Sequence, residues 1–280
     1  MPDYIITPGM IDSFSSWMLE RERAAATVEK YLREIKQLEA FLDGRAVSKT
    51  LLLEYRELMR ARFKAVTVNA KLSALNAFLD CMGLAQYKLR FLRVQRKAFV
   101  EESRELTQEE YRRLLKAAKE AGNERLYHLM ITVCGTGIRI SELKFITVEA
   151  VKRGRAEISL KGKNRTVLLQ KQLCSRLLAY ASVNSIVQGV IFRTGSGQPL
   201  DRSNACHDMK KLCAAAGVQP DKVFPHNLRH LFARSFYAVE KNLAHLADIL
   251  GHSSIETTRI YVAASASFYE RTLHRMKLII

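Results

Sequence analysis

The sequence predicts a mostly α-helical chain in two parts: a four-helix bundle, then an α-rich domain carrying one small antiparallel β-sheet. Three observations predict it. Apolar residues recur at spacings of three and four in four successive segments before residue 85, the period of a helix with one buried face. A basic stretch without that period follows, and the pattern restarts at a capping box on Thr107. Beyond it, only one closely spaced pair of short segments, 156–160 and 166–169, has the make-up of a β-hairpin.

The first helix runs from Pro8 to about Glu22, with Ile11, Phe14, Trp17 and Met18 on one face. The second runs from Thr27 to about Leu42 and turns Val28, Tyr31, Leu32, Ile35, Leu38, Phe41 and Leu42 inward. Ser48 caps a third, containing Leu51, Leu52, Tyr55 and Leu58. Thr67 caps a fourth, with Leu72, Leu75, Phe78 and Leu79 inward and Gly83 as its stop. Short links between them make a small bundle. Residues 1–98 are assigned to this domain, 99–104 to a linker and 105–280 to the second domain.

In the second domain Thr107 and Glu110 supply the capping box of a helix reaching about Ala121. Arg125 to about Cys134 is a strongly apolar helix, broken by Gly135-Thr136-Gly137, and Ser141-Glu142-Leu143 opens the next. Two short strands are joined by the turn Lys161-Gly162-Lys163-Asn164-Arg165. A helix follows from about Lys171 to Ala181, then a short apolar strand or turn at Val190-Ile191-Phe192, the polar loop Gly195–Pro199 and a helix over Ser203–Ala216. Pro225 starts another, in which His226 and Arg229 share a face. Leu243–Leu250 is a helix ended by Gly251, and Ser254 or Glu256 to Val262 forms the last before the tail.

Composition narrows the partners. Lys and Arg number 45 against 28 Asp and Glu, a net charge of +17. That excess suits a polyanion, because basic surface releases condensed counterions when it meets phosphates. Arg60, Arg62, Lys64 and Lys71 cluster around the entry to the fourth helix, and Arg93, Arg96 and Lys97 follow its exit. These residues, with Asn69 as a candidate for base edges, make a surface for a DNA backbone; a solvated helix face is the alternative for any one of them. The five cysteines form no Cys-x-x-Cys pair, so neither a disulfide scaffold nor a zinc site is expected. The N-terminus lacks the basic and apolar regions of a signal peptide, and no apolar run approaches a membrane span. A soluble cytoplasmic protein is expected.

The chemistry-bearing residues gather in three stretches: Gly135–Leu143 with Arg139, Pro225–His230 with His226 and Arg229, and Leu250–Tyr261 with His252 and Tyr261. Two arginines can grip the non-bridging oxygens of a phosphodiester and offset the charge that grows in its transition state. A phenol can attack it and conserve the bond energy in a phosphotyrosine. His226 can take the phenol proton or donate to the phosphate, His252 can donate to a phosphate oxygen, and Lys161 can protonate the leaving oxygen. Glu142 can orient an arginine or histidine. Tyr261, between Ile260 and Val262, also reads as a core residue. No metal or other cofactor is needed.

Together these stretches resemble the motifs of the tyrosine recombinases, the phage integrase and Xer-like family. Gly135-Thr136-Gly137-Ile138-Arg139-Ile140-Ser141-Glu142-Leu143 is similar to the first arginine motif, Pro225-His226-Asn227-Leu228-Arg229-His230 to the His-x-x-Arg motif, and Leu250 through Tyr261 to the motif bearing the nucleophile. The resemblance covers nearly the whole chain. It implies a SAM-like N-terminal domain that binds the core site and a catalytic domain of the DNA breaking-rejoining fold. It also implies 3′-phosphotyrosyl links, a Holliday junction and chemistry without ATP or metal. The catalytic set carried over is Arg139, Lys161, His226, Arg229, His252 and Tyr261, with Glu142 in support. The implied partners are double-stranded DNA with an inverted-repeat core site and a homotetramer in synapsis, monomeric or weakly associated off DNA. Accessory DNA-bending proteins or a second recombinase are allowed, no membrane is involved, and the bound protein is nucleoid-associated.

The chain departs from the pattern in places. Its hairpin is about one residue shorter than in Xer-like proteins, which leaves Lys161 and Lys163 both open as the hairpin lysine; Lys161 precedes the glycine as the family lysine does. No added arm-binding module is expected, which favours a simple-site recombinase. The amphipathic tail, with Phe268, Tyr269, Leu273, Met276, Leu278, Ile279 and Ile280, reads as a helix exchanged with a neighbouring protomer or folded back on its own domain. The competing readings are a DNA-binding architectural or regulatory protein that has lost catalysis, and a type IB topoisomerase.

Overall fold

The computed structural model describes residues 4–94, 104–160, 163–195, 197–200, 202–262 and 274–276. The chain divides into two compact units, Met1–Arg96 and Lys97–Ile280.

Four helices build the first unit. In α1 (Pro8–Glu20) the Thr7 Oγ1 accepts from the Met10 amide, and Pro8 fills the first position, where its missing N–H costs nothing. α2 (Ala25–Leu42) and α3 (Lys49–Arg62) follow, and Ser48 Oγ caps α3 by accepting from the Leu51 amide at 3.3 Å. α4 (Ala65–Cys81) begins two residues before the expected cap, so Thr67 does not cap it. The Thr67 amide already donates to the Lys64 carbonyl at 2.8 Å, and Ala65, a strong helix former, supports the first turn without a side-chain cap. Gly83, at φ +71°, ends the run, with the Leu84 amide returning to the Leu79 carbonyl. Phe14, Ile35, Leu38, Leu52, Leu72, Phe78 and Leu79 are fully buried, and Phe14 meets Phe78 edge-on at 5.4 Å.

Two residues of this unit have roles other than those expected. The Asn69 amide does not face outward for bases: Nδ2 donates to the Leu92 carbonyl at 2.9 Å and Oδ1 accepts from the Leu92 amide at 2.8 Å. Asn76, two turns along, makes the same pair of bonds to Leu89 at 2.9 Å. Together they pin the extended exit segment to α4, because that segment has no strand to satisfy its backbone. Lys71 is likewise engaged inside the bundle. Its ammonium donates to Glu34 at 2.5 Å and Gln37 at 2.9 Å and lies over the Phe63 ring.

The second unit opens with α5 (Gln108–Glu120), whose capping box forms as expected: the Glu110 amide donates to Thr107 Oγ1 at 3.1 Å and the Thr107 amide to Glu110 Oε2 at 2.8 Å. α6 (Glu124–Thr136) is the buried central helix. A 3₁₀ segment, Ile140–Phe145, and α7 (Val148–Arg153) lead into the sheet. β1 (Arg155–Leu160) pairs antiparallel with β2 (Lys163–Leu168), from Arg155 opposite Leu168 to Leu160 opposite Lys163. β1 ends at Leu160 as expected, and β2 starts three residues earlier than expected, at the hairpin end. Lys163, Asn164 and Arg165 belong to β2, continuing the alternation that buries Val167 and Leu169. Lys161 and Gly162, between the strands, lie outside the described residues.

α8 (Lys171–Val183) packs on α6 and α7. The single helix expected over 203–216 is two, α9 (Arg202–Lys211) and α10 (Cys213–Ala216), separated by a tight turn in which the Leu212 amide donates to the Met209 carbonyl. In the segment Val190–Phe192, Val190 makes one isolated bridge, to Thr147. α11 (Pro225–Glu240) packs against α6, and α12 (Leu243–Leu250) and α13 (Ile255–Val262) pack against α11. Of the expected tail helix only residues 274–276 are described, so its docking lies outside the described residues. Among the described residues no helix is long and apolar enough to cross a membrane.

Candidate active site

α11 supplies the centre of the site. Phe224 precedes the helix and Pro225 pre-sets its first turn. His226, Arg229 and His230 follow on adjacent turns. Arg229 is 1% exposed, the largest fully buried side chain among the described residues. Its Nη1 donates to the Gly137 carbonyl at 2.5 Å, and its Nη2 donates to the Leu250 carbonyl at 2.8 Å and to His252 Nε2 at 2.9 Å. Its Nε–H is buried without a partner among the described residues. Burial and the nearby Arg139 pull its pKa down to about 10, so it remains a cation at neutral pH. A buried guanidinium held by two carbonyls and an imidazole carries a full positive charge, and among the described residues no carboxylate is bonded to it. Such a charge is costly unless an anion completes it.

Gly137 makes this placement possible. Its φ is +67°, and a Cβ there would lie 2.4 Å from Phe232. Just beyond it, Arg139 is 40% exposed and is held by Glu142. The buried Glu142 carboxylate accepts from the Arg139 amide at 2.7 Å, from Arg139 Nη1 at 3.0 Å and from Arg165 Nη2 at 2.7 Å. Burial pushes the Glu142 carboxyl up, but the Arg139 amide and the Arg165 cation outweigh it, and its pKa sits below the ordinary value. Glu142 therefore joins the Arg139 backbone and side chain to Arg165.

Tyr261, on α13, is 5% exposed. Its Oη lies 3.4 Å from His226 Nε2. The His252 ring stacks on the phenol at 5.4 Å and 16°, and His230 meets it at 4.5 Å and 60°. Tyr261 is thus a packed residue, as one of its two expected readings had it, and its oxygen faces an imidazole. His226 stands at the rim. Burial of its inner edge and the cations Arg229, Arg202 and Arg139 keep its pKa below the ordinary histidine value, so it is a neutral base at pH 7.

His252 follows the left-handed Gly251 that ends α12. Arg229 donates to its Nε2, so the proton is on Nδ1, which donates to Thr258 Oγ1 at 2.8 Å. Burial, then Arg229, Arg139 and Arg165, bring its pKa down to about 4.

The structure thus brings together Arg139, Glu142, His226, Arg229, His252 and Tyr261. Lys161 lies outside the described residues. Three participants carried no assigned role in the sequence. His230 lies four residues from His226 and so on the same face. Thr258 is fully buried inside the last motif. Arg165, placed in a turn by its polar neighbours, is betrayed by its even spacing from Val167 and Leu169. In the first unit Arg62, Lys64 and Arg93 are exposed, and Arg60 pairs with Glu57 at 2.7 Å on an exposed face. Arg96 and Lys97 lie outside the described residues.

Residues 104–267 match the Phage integrase family. The chain is 28% identical over 278 residues to tyrosine recombinase XerD of Rhizobium meliloti, covering 90% of this chain and 89% of that protein. It is 23% identical over 280 residues to tyrosine recombinase XerA of Pyrococcus furiosus, covering 96% and 94%. A shorter match to tyrosine recombinase XerH of Campylobacter jejuni is 32% identical over 166 residues, 56% of this chain and 47% of that protein. In fold it is similar to a lambda integrase dimer bound to a COC′ core site, with a TM-score of 0.72 and 18% identity over 92% of this chain and 78% of that one. On the family match over more than half its length, and on the geometry of Tyr261 among its arginines and histidines, the chain belongs to the phage integrase family of tyrosine recombinases, enzymes of site-specific recombination.

Proposed function

We propose that this chain cuts and rejoins double-stranded DNA with Tyr261 as nucleophile, through a 3′-phosphotyrosyl link. The observation that carries the reading is the pairing of a buried cation, Arg229, to which no carboxylate is bonded among the described residues, with a phenol oxygen 3.4 Å from a neutral imidazole. A scissile phosphate seated against Arg139 and Arg229 supplies the missing negative charge. The Tyr261 oxygen attacks phosphorus, and its proton passes to His226 Nε2. The bond to the 5′ oxygen breaks, and that oxygen takes a proton from Lys161. The two guanidiniums stabilise the extra charge of the five-coordinate transition state, the term that preorganised donors contribute most strongly. When Arg229 turns its Nη2 to the phosphate, His252 donates to the same oxygens by moving its proton to Nε2, with the Thr258 hydroxyl then donating to Nδ1.

The wider reading follows the family. The basic residues Arg60, Arg62, Lys64 and Arg93 of the first domain lie on the DNA backbone, with Arg96 and Lys97 continuing the path. Four copies act on two sites with inverted-repeat arms, pass strands through a Holliday junction and need neither ATP nor a metal. The structures to which this fold is similar include a lambda integrase tetramer bound to a Holliday junction and XerH bound to its difH substrate. On this reading the protein works in the cytoplasm, on the nucleoid when bound.

A suicide duplex nicked next to the scissile phosphate tests the reading. The wild type is expected to accumulate a covalent adduct and Tyr261→Phe to bind the duplex without one. Binding by the wild type without any adduct would return the chain to a binding-only protein, and relaxation of supercoils without exchange between two sites would make it a topoisomerase.

A further inference from the structure

We infer that Arg165 is a positioning residue that braces the two loops presenting Arg139 and His252 to the phosphate; the inference rests on the function proposed above. Arg165 sits in β2 with its side chain 12% exposed, too enclosed to be a surface contact. Its Nη2 donates to Glu142, the residue that holds Arg139 by both backbone and side chain. Its Nη1 donates to the carbonyl of Ile249 in the last turn of α12, where carbonyls lack helical partners and the helix dipole is negative. Three residues later comes His252.

The path of the side chain explains the glycine between them. A Cβ on Gly251 would lie 2.4 Å from Arg165 Cδ and 2.8 Å from its Nε, so the Arg165 stem crosses directly against that backbone. Arg229 makes a parallel connection from the inside. It takes the Gly137 carbonyl with one nitrogen and the Leu250 carbonyl with the other. Two arginines therefore join the same two segments, 137–142 and 249–252. Only the inner one is needed by the phosphate. The outer one holds the separation of the loops when Arg229 turns part of its fork to the substrate. A planar fork can reach two fixed acceptors at once, whereas a lysine ammonium on a flexible stem cannot hold the same geometry.

The test uses the full chain with Arg165→Ala, Arg165→Lys, Gly251→Ala and the Gly251→Ala/Arg165→Ala double variant. On the nicked suicide duplex, Arg165→Ala is expected to bind DNA within about threefold of wild type while its cleavage rate constant falls on the order of 100-fold, the scale of a small misplacement at a reacting centre. Arg165→Lys restores only part of the rate. Wild-type cleavage in Arg165→Ala overturns the inference, as does a rate loss no larger than the loss of binding. A readout without DNA separates this from the recombinase reading. The left-handed backbone of Gly251 penalises Gly251→Ala in both backgrounds alike, so the melting-temperature cycle isolates the contact. Gly251→Ala should lower the melting temperature less in the Arg165→Ala background than in wild type. Additive losses overturn the brace, whether or not the wild type forms an adduct; if Arg165→Ala does not fold, the same cycle is run with Arg165→Lys, in which the shortened head relieves part of the contact.

Discussion

Replacing Glu142 with Gln tests the electrostatic centre of the site. The carboxylate is 3% exposed and faces two guanidiniums, Arg165 at 12% exposure and Arg139 at 40%. Removing one member of a buried ionic cluster costs about 3–5 kcal/mol, because the remaining charge is left uncompensated. The Arg139 pair is half open to water and adds only about 0–1 kcal/mol. Gln keeps one acceptor oxygen but turns an amide donor toward a guanidinium, so the net loss is placed at about 2–4 kcal/mol near neutral pH. For a unit of this size that is a fall of roughly 5–15 °C in melting temperature. The pH dependence gives the sharper reading. The Glu142 carboxyl is held below its ordinary value of 4.5 in the folded protein. Its ionic contribution is therefore complete above about pH 4.5 and is lost as pH falls through the depressed folded value. Melting curves of both proteins from pH 8 to pH 3.5 should show a constant gap down to about pH 4.5 that narrows below it. A gap that stays constant into acid, or one under about 1 kcal/mol at pH 7, would refute the assignment of charge as the contribution of Glu142.

The other outcomes follow from single contacts. Gly137→Ala combines a left-handed alanine with a Cβ pressed onto Phe232 and should cost about 2–5 kcal/mol by chemical denaturation, with loss of cleavage because the Gly137 carbonyl seats Arg229. His226→Gln should lower single-turnover cleavage by about 10²–10⁴-fold at pH 7 with DNA affinity unchanged, the usual contribution of a positioned base; in the wild type, rate should hold below the ordinary histidine pKa of 6.5 before it falls, since His226 resists protonation. Thr258→Val strands the Nδ1–H of His252 and should destabilise by about 1–3 kcal/mol, read as a lower denaturant midpoint at unchanged slope.

Much of this architecture is legible in the apolar period. The helices of the first unit, the capping box on Thr107, and α12 with its glycine stop all follow from local chemistry that tertiary packing did not override. The starting residue of α4 does not, because Ala65 and Val66 extend a helix without the side-chain cap that Thr67 advertised. The candidate site is legible as residue types in an order, and Arg139, His226, Arg229, His252 and Tyr261 are recognised that way. What the order hides is who holds whom. Asn69 and Lys71 look like surface groups by composition, and both are turned inward by partners far along the chain: Leu92 for one, Glu34 for the other. Arg165 looks like part of a turn because Gly, Asn and Lys surround it, whereas its contacts at Glu142 and Ile249 come from segments 23 and 84 residues away. Spacing along one helix reveals the His226–Arg229–His230 face; no local pattern reveals a brace across three segments.

The central claim is that one oxygen atom, the phenol Oη of Tyr261, becomes bonded to phosphorus. Nuclease trimming of the trapped adduct, followed by proteolysis and peptide mass mapping, reads that bond directly. The account predicts a nucleotide mass on the peptide containing Tyr261 and none anywhere in Tyr261→Phe. A nucleotide on another residue, or an adduct that persists in Tyr261→Phe, would contradict it.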